Sequence, residues 1–238
     1  MESKRPIVEV PWHLDVNGTR ALAGTFTPDR PLDLAAGRLL GEGFIAERAH
    51  LLHLDESALE TGAIRLEATV DPDLETRARA ELRHRSEHGC GLLHYVVCDG
   101  AALGPAPAAN IPSVDDFRVI LRDLFAACAA RFPRGGVHAA ALWDGETLRH
   151  QSEDVGRHNA VDRVLGAAFL EGTGPRGLGL VLTARVSGQM AMVAARTGVA
   201  WIASRSVPTG LAIEIARAAR LPILQRAARE ARRVGGEP

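Results

Sequence analysis

Residues 178–225 read LGLVLTARVSGQMAMVAARTGVAWIASRSVPTGLAIEIARAARLPILQ. Short apolar runs at 178–183, 199–204 and 222–225 have no alternation, the pattern of strands buried on both faces. Between them, 187–197 and 209–220 carry apolar residues three and four apart, the spacing of helices packed on one side. A strand, helix, strand, helix, strand succession needs crossover connections, and these pair the strands in parallel beneath covering helices. The class is α/β.

Immediately upstream lies Glu153-Asp154-Val155-Gly156-Arg157-His158-Asn159-Ala160-Val161-Asp162-Arg163-Val164-Leu165-Gly166. Its first half is a polar loop. Its second half, with Ala160, Val161, Val164, Leu165, Ala168 and Phe169, is an apolar helical repeat. A helix starting near His158 or Asn159 directs free N–H groups and the positive end of its dipole toward the Arg157 guanidinium, which makes an anion-seeking corner. An ordinary cap is the competing reading, with Asn159 capping the helix and Arg157 pairing with Glu153 or Asp154. Two further loops share the design, Arg185-Val186-Ser187-Gly188 and Ser206-Val207-Pro208-Thr209-Gly210, each between a strand and a helix. Ser and Thr at helix starts are caps more often than ligand contacts. Ligands of open α/β sheets, however, sit beyond the carboxyl ends of strands, and three such corners with two arginines suit a ligand with several phosphates.

Toward the N-terminus, residues 7–16 and 19–26 alternate around Asn17-Gly18, a type I′ hairpin signal. Leu32, Ala35, Ala36, Leu39 and Leu40 form a helical stripe ahead of Glu42-Gly43-Phe44-Ile45, and 49–54 and 63–70 read as short strands. Residues 71–85, rich in Arg, Glu and Ala, fit a solvated helix or an extended edge equally well. An Ala/Pro/Gly-rich connector at 101–112 divides the chain into an N-terminal α+β region, 1–112, and a C-terminal domain, 113–238. Ser113 with Asp116 is a capping-box start for a long helix whose stripe runs through Phe117, Ile120, Leu121, Leu124 and Cys128, which makes Cys128 a buried small hydrophobe. A second hairpin, 137–143 and 146–150, turns at Asp144-Gly145. The Arg-rich end, 225–233, reads most simply as a solvated helical face.

The 238 residues carry 28 basic and 29 acidic side chains, a net charge of −1, so no overall field attracts nucleic acid or an anionic membrane. The opening Met1-Glu2-Ser3-Lys4-Arg5-Pro6 lacks a secretory apolar core, and no run reaches the roughly 18 apolar residues that span a bilayer. A cytoplasmic chain with no membrane partner is expected. Three cysteines make neither a disulfide framework nor a four-ligand zinc pattern. The reactive candidate is Cys90, between Gly89 and Gly91 and near Arg83, His84, Arg85, His88 and His94, where positive charge favours the attacking thiolate. A plain loop cysteine is the alternative. The histidines around it have no familiar metal spacing, and no protein-bound metal is expected.

Glu153 through Gly166 resembles the signature of the FdhD/NarQ family of formate dehydrogenase accessory sulfurtransferases, with Arg163 where Lys is frequent. Gly135-Gly136-Val137-His138-Ala139-Ala140, Thr183-Ala184-Arg185-Val186-Ser187 and Ser206-Val207-Pro208-Thr209 are similar to further segments of that family. The resemblance implies a cytidine-deaminase-like three-layer α/β/α C-terminal half beside a smaller β-rich N-terminal half. It also implies a bound bis-molybdopterin guanine dinucleotide cofactor carrying molybdenum or tungsten, or a guanine nucleotide such as GDP in its place. The matching contacts are Arg157, His158, Asn159, Arg185, Ser187, Ser206 and Thr209. Cys90 matches the persulfide carrier, with a cysteine desulfurase as donor, formate dehydrogenase as client and a homodimer as the assembly. The deaminase zinc ligands, His-x-Glu and Pro-Cys-x-x-Cys, are absent. The family's second loop cysteine is replaced by Leu93 and its following Gly by His94, and the usual C-terminal segment is replaced by one containing Arg226, Arg229, Arg232 and Arg233. A cofactor-binding chaperone without sulfur transfer is therefore the second expectation. A hydrolase using His158 with Glu153 or Asp154 is the third, weakened by the lack of a nucleophile motif.

Overall fold

The computed structural model describes residues 6–87, 103–133, 135–227, 229 and 232–234. Four strands make the N-terminal sheet: β1 (Val10–Val16), β2 (Thr19–Phe26), β3 (Leu51–Ala58) and β4 (Ile64–Val70), in the order β2-β1-β4-β3. The expected hairpin is present, with Asn17 at φ 48° and Gly18 at φ 76°. Asn17 also ties the turn to the sheet, since its amide donates to the Val70 carbonyl at 3.2 Å and accepts from the Val70 N–H at 2.9 Å. β1 then pairs in parallel with β4, Trp12 opposite Ile64, a long-range register that no local pattern specifies.

Helix α1 (Pro31–Glu42) presses Leu34, Ala35 and Leu39 onto Trp12, Leu14 and Leu66 of this sheet. Helix α2 (Pro72–Glu87) settles the ambiguity at 71–85. Asp71 accepts from the N–H groups of Asp73 and Leu74, at 2.9 and 3.3 Å, and Pro72 supplies a fixed φ for the first turn. Arg79 of α2 then clamps the hairpin by donating to the Val16 and Thr19 carbonyls at 2.9 and 3.0 Å.

The second sheet has six strands in the order β10-β9-β8-β7-β5-β6. They are β5 (His138–Trp143), β6 (Leu148–Asp154), β7 (Gly179–Leu182), β8 (Trp201–Ser204), β9 (Ile223–Gln225) and β10 (Arg232–Val234). β7, β8 and β9 are mutually parallel, as the opening stretch predicts, while β5 runs antiparallel to both β6 and β7. β6 continues four residues past the expected end of its hairpin, so Glu153 and Asp154 are strand residues, 2% and 0% exposed, and not loop. The Arg-rich end is likewise corrected: it is a turn followed by a short antiparallel edge strand, not a helix.

Helix α3 (Val114–Arg131) covers one face of this sheet, and α4 (Arg157–Leu170), α5 (Gly188–Arg196) and α6 (Gly210–Ala218) cover the other. Strand alternation sorts the side chains: Leu180 and Leu182 point to α4–α6, and Val181 points to α3 with Phe117 and Trp201. Ser113 caps α3 in a reciprocal box with Asp116, and Cys128 is buried on its inner stripe. Fully burying a larger member of the stripe, such as Phe117 or Leu124, stabilises the fold by about 1.5–3 kcal/mol.

The two sheets are joined through α1 and α4. A Cβ at Gly37 would stand 1.7 Å from the Asp162 carbonyl oxygen, and one at Gly166 would stand 1.9 Å from that of Asp33. Backbone meets backbone at this crossing, and only glycine permits it. The layers are thus four-stranded sheet, α1, the α4–α6 layer, six-stranded sheet and α3.

Candidate functional site

Because β5 is antiparallel to its two neighbours, β6, β7 and β8 point the same way and end on one edge of the sheet. The loops leaving that edge run into α4 at Arg157, α5 at Gly188 and α6 at Gly210. Direct contacts tie them together. His158 Nε2 and Ser187 Oγ share a hydrogen bond of 3.1 Å between the first loop and the second. Val186 bridges Pro208 in parallel, and the Thr209 N–H donates to the Val186 carbonyl at 2.9 Å, joining the second loop to the third. His138, the first residue of β5, lies opposite Asp154 on the same edge. The three corners therefore form one continuous rim.

The individual side chains divide into those held by the fold and those left open to a ligand. Ser187 and Thr209 are N-caps of α5 and α6, accepting from the Met190 and Ala212 N–H groups at 3.4 and 3.3 Å. Ser206 is half-buried, its N–H donating to Ser204 Oγ at 2.9 Å. Arg185 is exposed and Arg157 half-buried, and neither has a hydrogen-bond or ion-pair partner among the described residues. The competing reading in which Arg157 pairs with Glu153 or Asp154 is thus corrected, because Glu153 binds Arg131 at 2.7 Å and Asp154 binds Arg163 at 2.8 Å. Nor does Asn159 cap its helix: the N-cap is Gly156, with no side-chain bond. Asn159 is 6% exposed, and its amide nitrogen donates to the Thr25 carbonyl at 2.8 Å and to Asp154 Oδ1 at 3.0 Å. It positions the loop from beneath.

His158 is held neutral. Burial, with Arg157 and Arg38 adding to it, pushes its imidazole down to about 4, and Glu42 opposes the shift. His138 is lowered by the same two causes, burial first and then Arg157. Both rings are thus uncharged near neutrality, and the rim carries its positive charge on Arg157 and Arg185. With the N–H groups of three helix starts alongside, these guanidiniums suit a phosphate chain.

Two buried supports escape sequence reasoning. Arg163, 0% exposed, donates to Ser152 Oγ, the Glu153 and Thr27 carbonyls, each at 3.0 Å, and Asp154 Oδ2. Asp154 additionally accepts from the Thr27 and Gly156 N–H groups at 3.0 and 2.8 Å, so the loop before α4 is fixed to the end of β2. Asp162 is 2% exposed and lies 3.0 Å from Arg38 Nε in an ion contact too poorly aligned for a hydrogen bond. Burial raises its carboxyl to about 6 despite Arg38. The available signal was position: Asp162 and Arg163 interrupt an otherwise apolar run from Ala160 to Phe169.

Cys90, with His88, Gly91, Leu93, His94 and Cys98, lies outside the described residues. Among the described residues no group of three His, Cys, Asp or Glu is placed to hold a metal ion, and no helix is long and apolar enough to cross a membrane.

Fold and rim together define an α/β protein that presents strand-end loops suited to an anionic ligand. Residues 7–234 match the FdhD/NarQ family, and the chain belongs to it. It is 36% identical over 207 residues to the sulfur carrier protein FdhD of Chromobacterium violaceum, covering 79% of this chain and 73% of that protein. Its identity to the protein of the same name from Bacillus subtilis is 29% over 214 residues, covering 89% and 80%. A solved structure from Desulfotalea psychrophila, described as a formate dehydrogenase accessory protein, superposes with a TM-score of 0.72 at 21% identity, covering 96% of this chain and 86% of that one. The last comparison shows a shared fold.

Proposed function

We propose that this protein is a sulfur carrier that serves formate dehydrogenase and loads a bound molybdenum or tungsten bis-molybdopterin guanine dinucleotide as its substrate. Family membership supports the carrier role. The observation that carries the ligand assignment is the continuous rim, where Arg157 and Arg185 stand without partners among the described residues beside three helix starts. On this reading Arg157, Arg185, Ser206 and Thr209 bind the dinucleotide phosphates. His158 and Ser187 shape the floor between them, and Asn159 fixes the loop.

The Cys90 thiolate attacks the outer sulfur of a cysteine desulfurase persulfide. A new S–S bond forms at Cys90 as the old one breaks, and the desulfurase cysteine leaves as a thiolate. An acceptor nucleophile of the substrate then takes the outer sulfur at the sulfane level, forming its bond to that sulfur as the Cys90 S–S bond breaks and Cys90 leaves as the thiolate. Neutral His158 and His138 cannot donate a positive charge to the phosphates, so ligand affinity rests on the arginines. The protein acts as a homodimer in the cytoplasm, with the C-terminal domain, 113–238, as the cofactor-binding part.

Mass spectrometry tests the carrier step directly. Incubation with a cysteine desulfurase and cysteine is expected to add one sulfur atom to Cys90, and Cys90→Ala is expected to abolish both the addition and formate dehydrogenase maturation. Leu93 at the second-cysteine position favours one other reading, a chaperone that binds the cofactor without transferring sulfur. An unmodified Cys90 under conditions that load a known carrier, together with a Cys90→Ala variant that still matures its client, would establish that reading instead.

A further inference from the structure

At the edge of the six-stranded sheet opposite the rim, where β7 and β8 begin, an open groove of about 630 Å³ lies in the joint between the two halves of the chain. Helix α2 contributes Leu74, Arg77 and Glu81 to it. With them are Leu103, Arg176 ahead of β7, and Arg196 in the last turn of α5. Helix α5 starts at the rim and ends at the groove, so its length of roughly 14 Å separates the two places.

The walls of the groove are fixed by the fold. Leu103 packs on the core of the C-terminal half, and the Ala106 N–H donates to the Ala219 carbonyl at 2.9 Å. Arg196 is spent on the same joint: it donates to the Gly41 carbonyl at 2.8 Å and pairs with Glu81, the one carboxylate among the described lining residues. Arg77 and Arg176 are different. Both are exposed, and neither has a hydrogen-bond or ion-pair partner among the described residues. Arg176 is laid down against Gly198, where a Cβ would stand 3.1 Å from its Cγ and from one of its guanidinium nitrogens. Two uncommitted guanidiniums from opposite halves of the chain therefore flank a small apolar strip. A small molecule needs an enclosed site, whereas an open groove of this kind suits an acidic protein segment whose carboxylates meet the arginine forks.

We infer that this groove is the docking surface for the sulfur donor, which it engages through an acidic segment paired with Arg77 and Arg176. The donor is the cysteine desulfurase of the reading above, on which the inference rests. Two placements favour it over the client enzyme and the cofactor. The rim, where the cofactor is assigned, lies at the other edge of the sheet. Helix α2, which carries Arg77, ends at Glu87, and Cys90 follows three positions later in the sequence, a span of at most about 11 Å. A protein seated on α2 thus stands on the helix that leads to the carrier cysteine.

The test is the affinity of the full chain for a cysteine desulfurase, measured beside the rate at which Cys90 gains sulfur, with thermal melting to establish that each variant is folded. Arg77→Glu/Arg176→Glu should weaken donor binding by at least roughly tenfold, because like charges then face each other, and should remove most of its salt dependence. Arg77→Lys/Arg176→Lys, which keeps the charge, should restore part of the binding. Loading of Cys90 from glutathione persulfide, which needs no docking surface, should be the same in all forms. Equal donor affinity in the native and charge-reversed chains would overturn the groove and leave the carrier reading intact. Slower loading from glutathione persulfide as well would overturn it too, since the substitutions would then act on Cys90 and not on docking. A native chain that the desulfurase never loads would overturn both the inference and the carrier reading. Charge reversal that turns a dimer into a monomer while donor binding is unchanged would assign the groove to a second copy of this chain instead.

Discussion

Arg157 and Arg163 stand six residues apart on the same helix and have opposite fates. Arg163 is sealed by the N-terminal half: its guanidinium donates to the Thr27 carbonyl, lies 5.9 Å from the centroid of the Phe26 ring, and pairs with Asp154 where neither side chain meets solvent. Arg157, one and a half turns earlier, lies beyond that cover and has no partner among the described residues. The end of β2 and helix α1 close over α4 as far as Asn159, which bonds the Thr25 carbonyl, and leave its first residue, Arg157, half-buried. The contrast separates a charge that assembles the molecule from one that the assembly leaves facing outward at the edge of the sheet.

The largest effect should come from breaking the sealed end. Arg163→Met leaves Asp154 buried with only neutral donors, and the loss of one partner of a buried pair destabilises by about 3–5 kcal/mol. Urea denaturation measures it, and a loss below about 1 kcal/mol would mean that the Thr27, Gly156 and Asn159 donors suffice to hold the carboxylate. Next comes the cover itself. Gly37→Ala drives a methyl into the Asp162 carbonyl, and forcing α1 off α4 should cost about 3 kcal/mol or more, read as a fall in melting temperature.

A smaller effect is visible only against pH. The Asp162 carboxyl, raised by burial from 3.8 to about 6, takes up a proton on folding. Its stabilising contribution is present at low pH and is lost as pH rises through 6. His158, lowered by burial from 6.5 to about 4, gives up a proton on folding, and its contribution is present above pH 6.5 and lost as pH falls toward 4. The two oppose each other across this window. Asp162→Asn should therefore steepen the loss of stability between pH 6.5 and 4, and His158→Gln should reverse its sign. Urea melts at several pH values check both, and unchanged profiles would contradict the two opposed shifts.

The sequence reading succeeded where local pattern and global fold agree. The strands at 179–182, 201–204 and 223–225 lie beneath helices on both faces, so their continuous apolar runs could mean little else. Asn17-Gly18 and Ser113 with Asp116 are local chemistry, complete within a few residues. It failed where the deciding contact is distant. Half of the residues of helix α2 are charged, and it is tied down by Arg79 reaching the first hairpin and Ala78 entering the N-terminal core. The parallel pairing of β1 with β4 joins residues such as Trp12 and Ile64 that no local pattern links. At the rim the residue types were readable and their proximity followed from the strand directions. The division between exposed Arg185 and buried Asn159 and Arg163 was not, because it depends on where the N-terminal half comes to rest.

The central claim is that the open end of α4 and its neighbouring loop bind phosphate through Arg157 and Arg185. The most direct measurement is GDP affinity of the full chain, with and without Arg157→Ala/Arg185→Ala. Charge-assisted hydrogen bonds contribute about 1.5–3 kcal/mol each, so removing both arginines should weaken binding by at least roughly tenfold. Stability should change by less than about 0.5 kcal/mol, as expected for side chains with no hydrogen-bond or ion-pair partner among the described residues. Unaltered GDP affinity, or a loss of stability like that of Arg163→Met, would contradict the account.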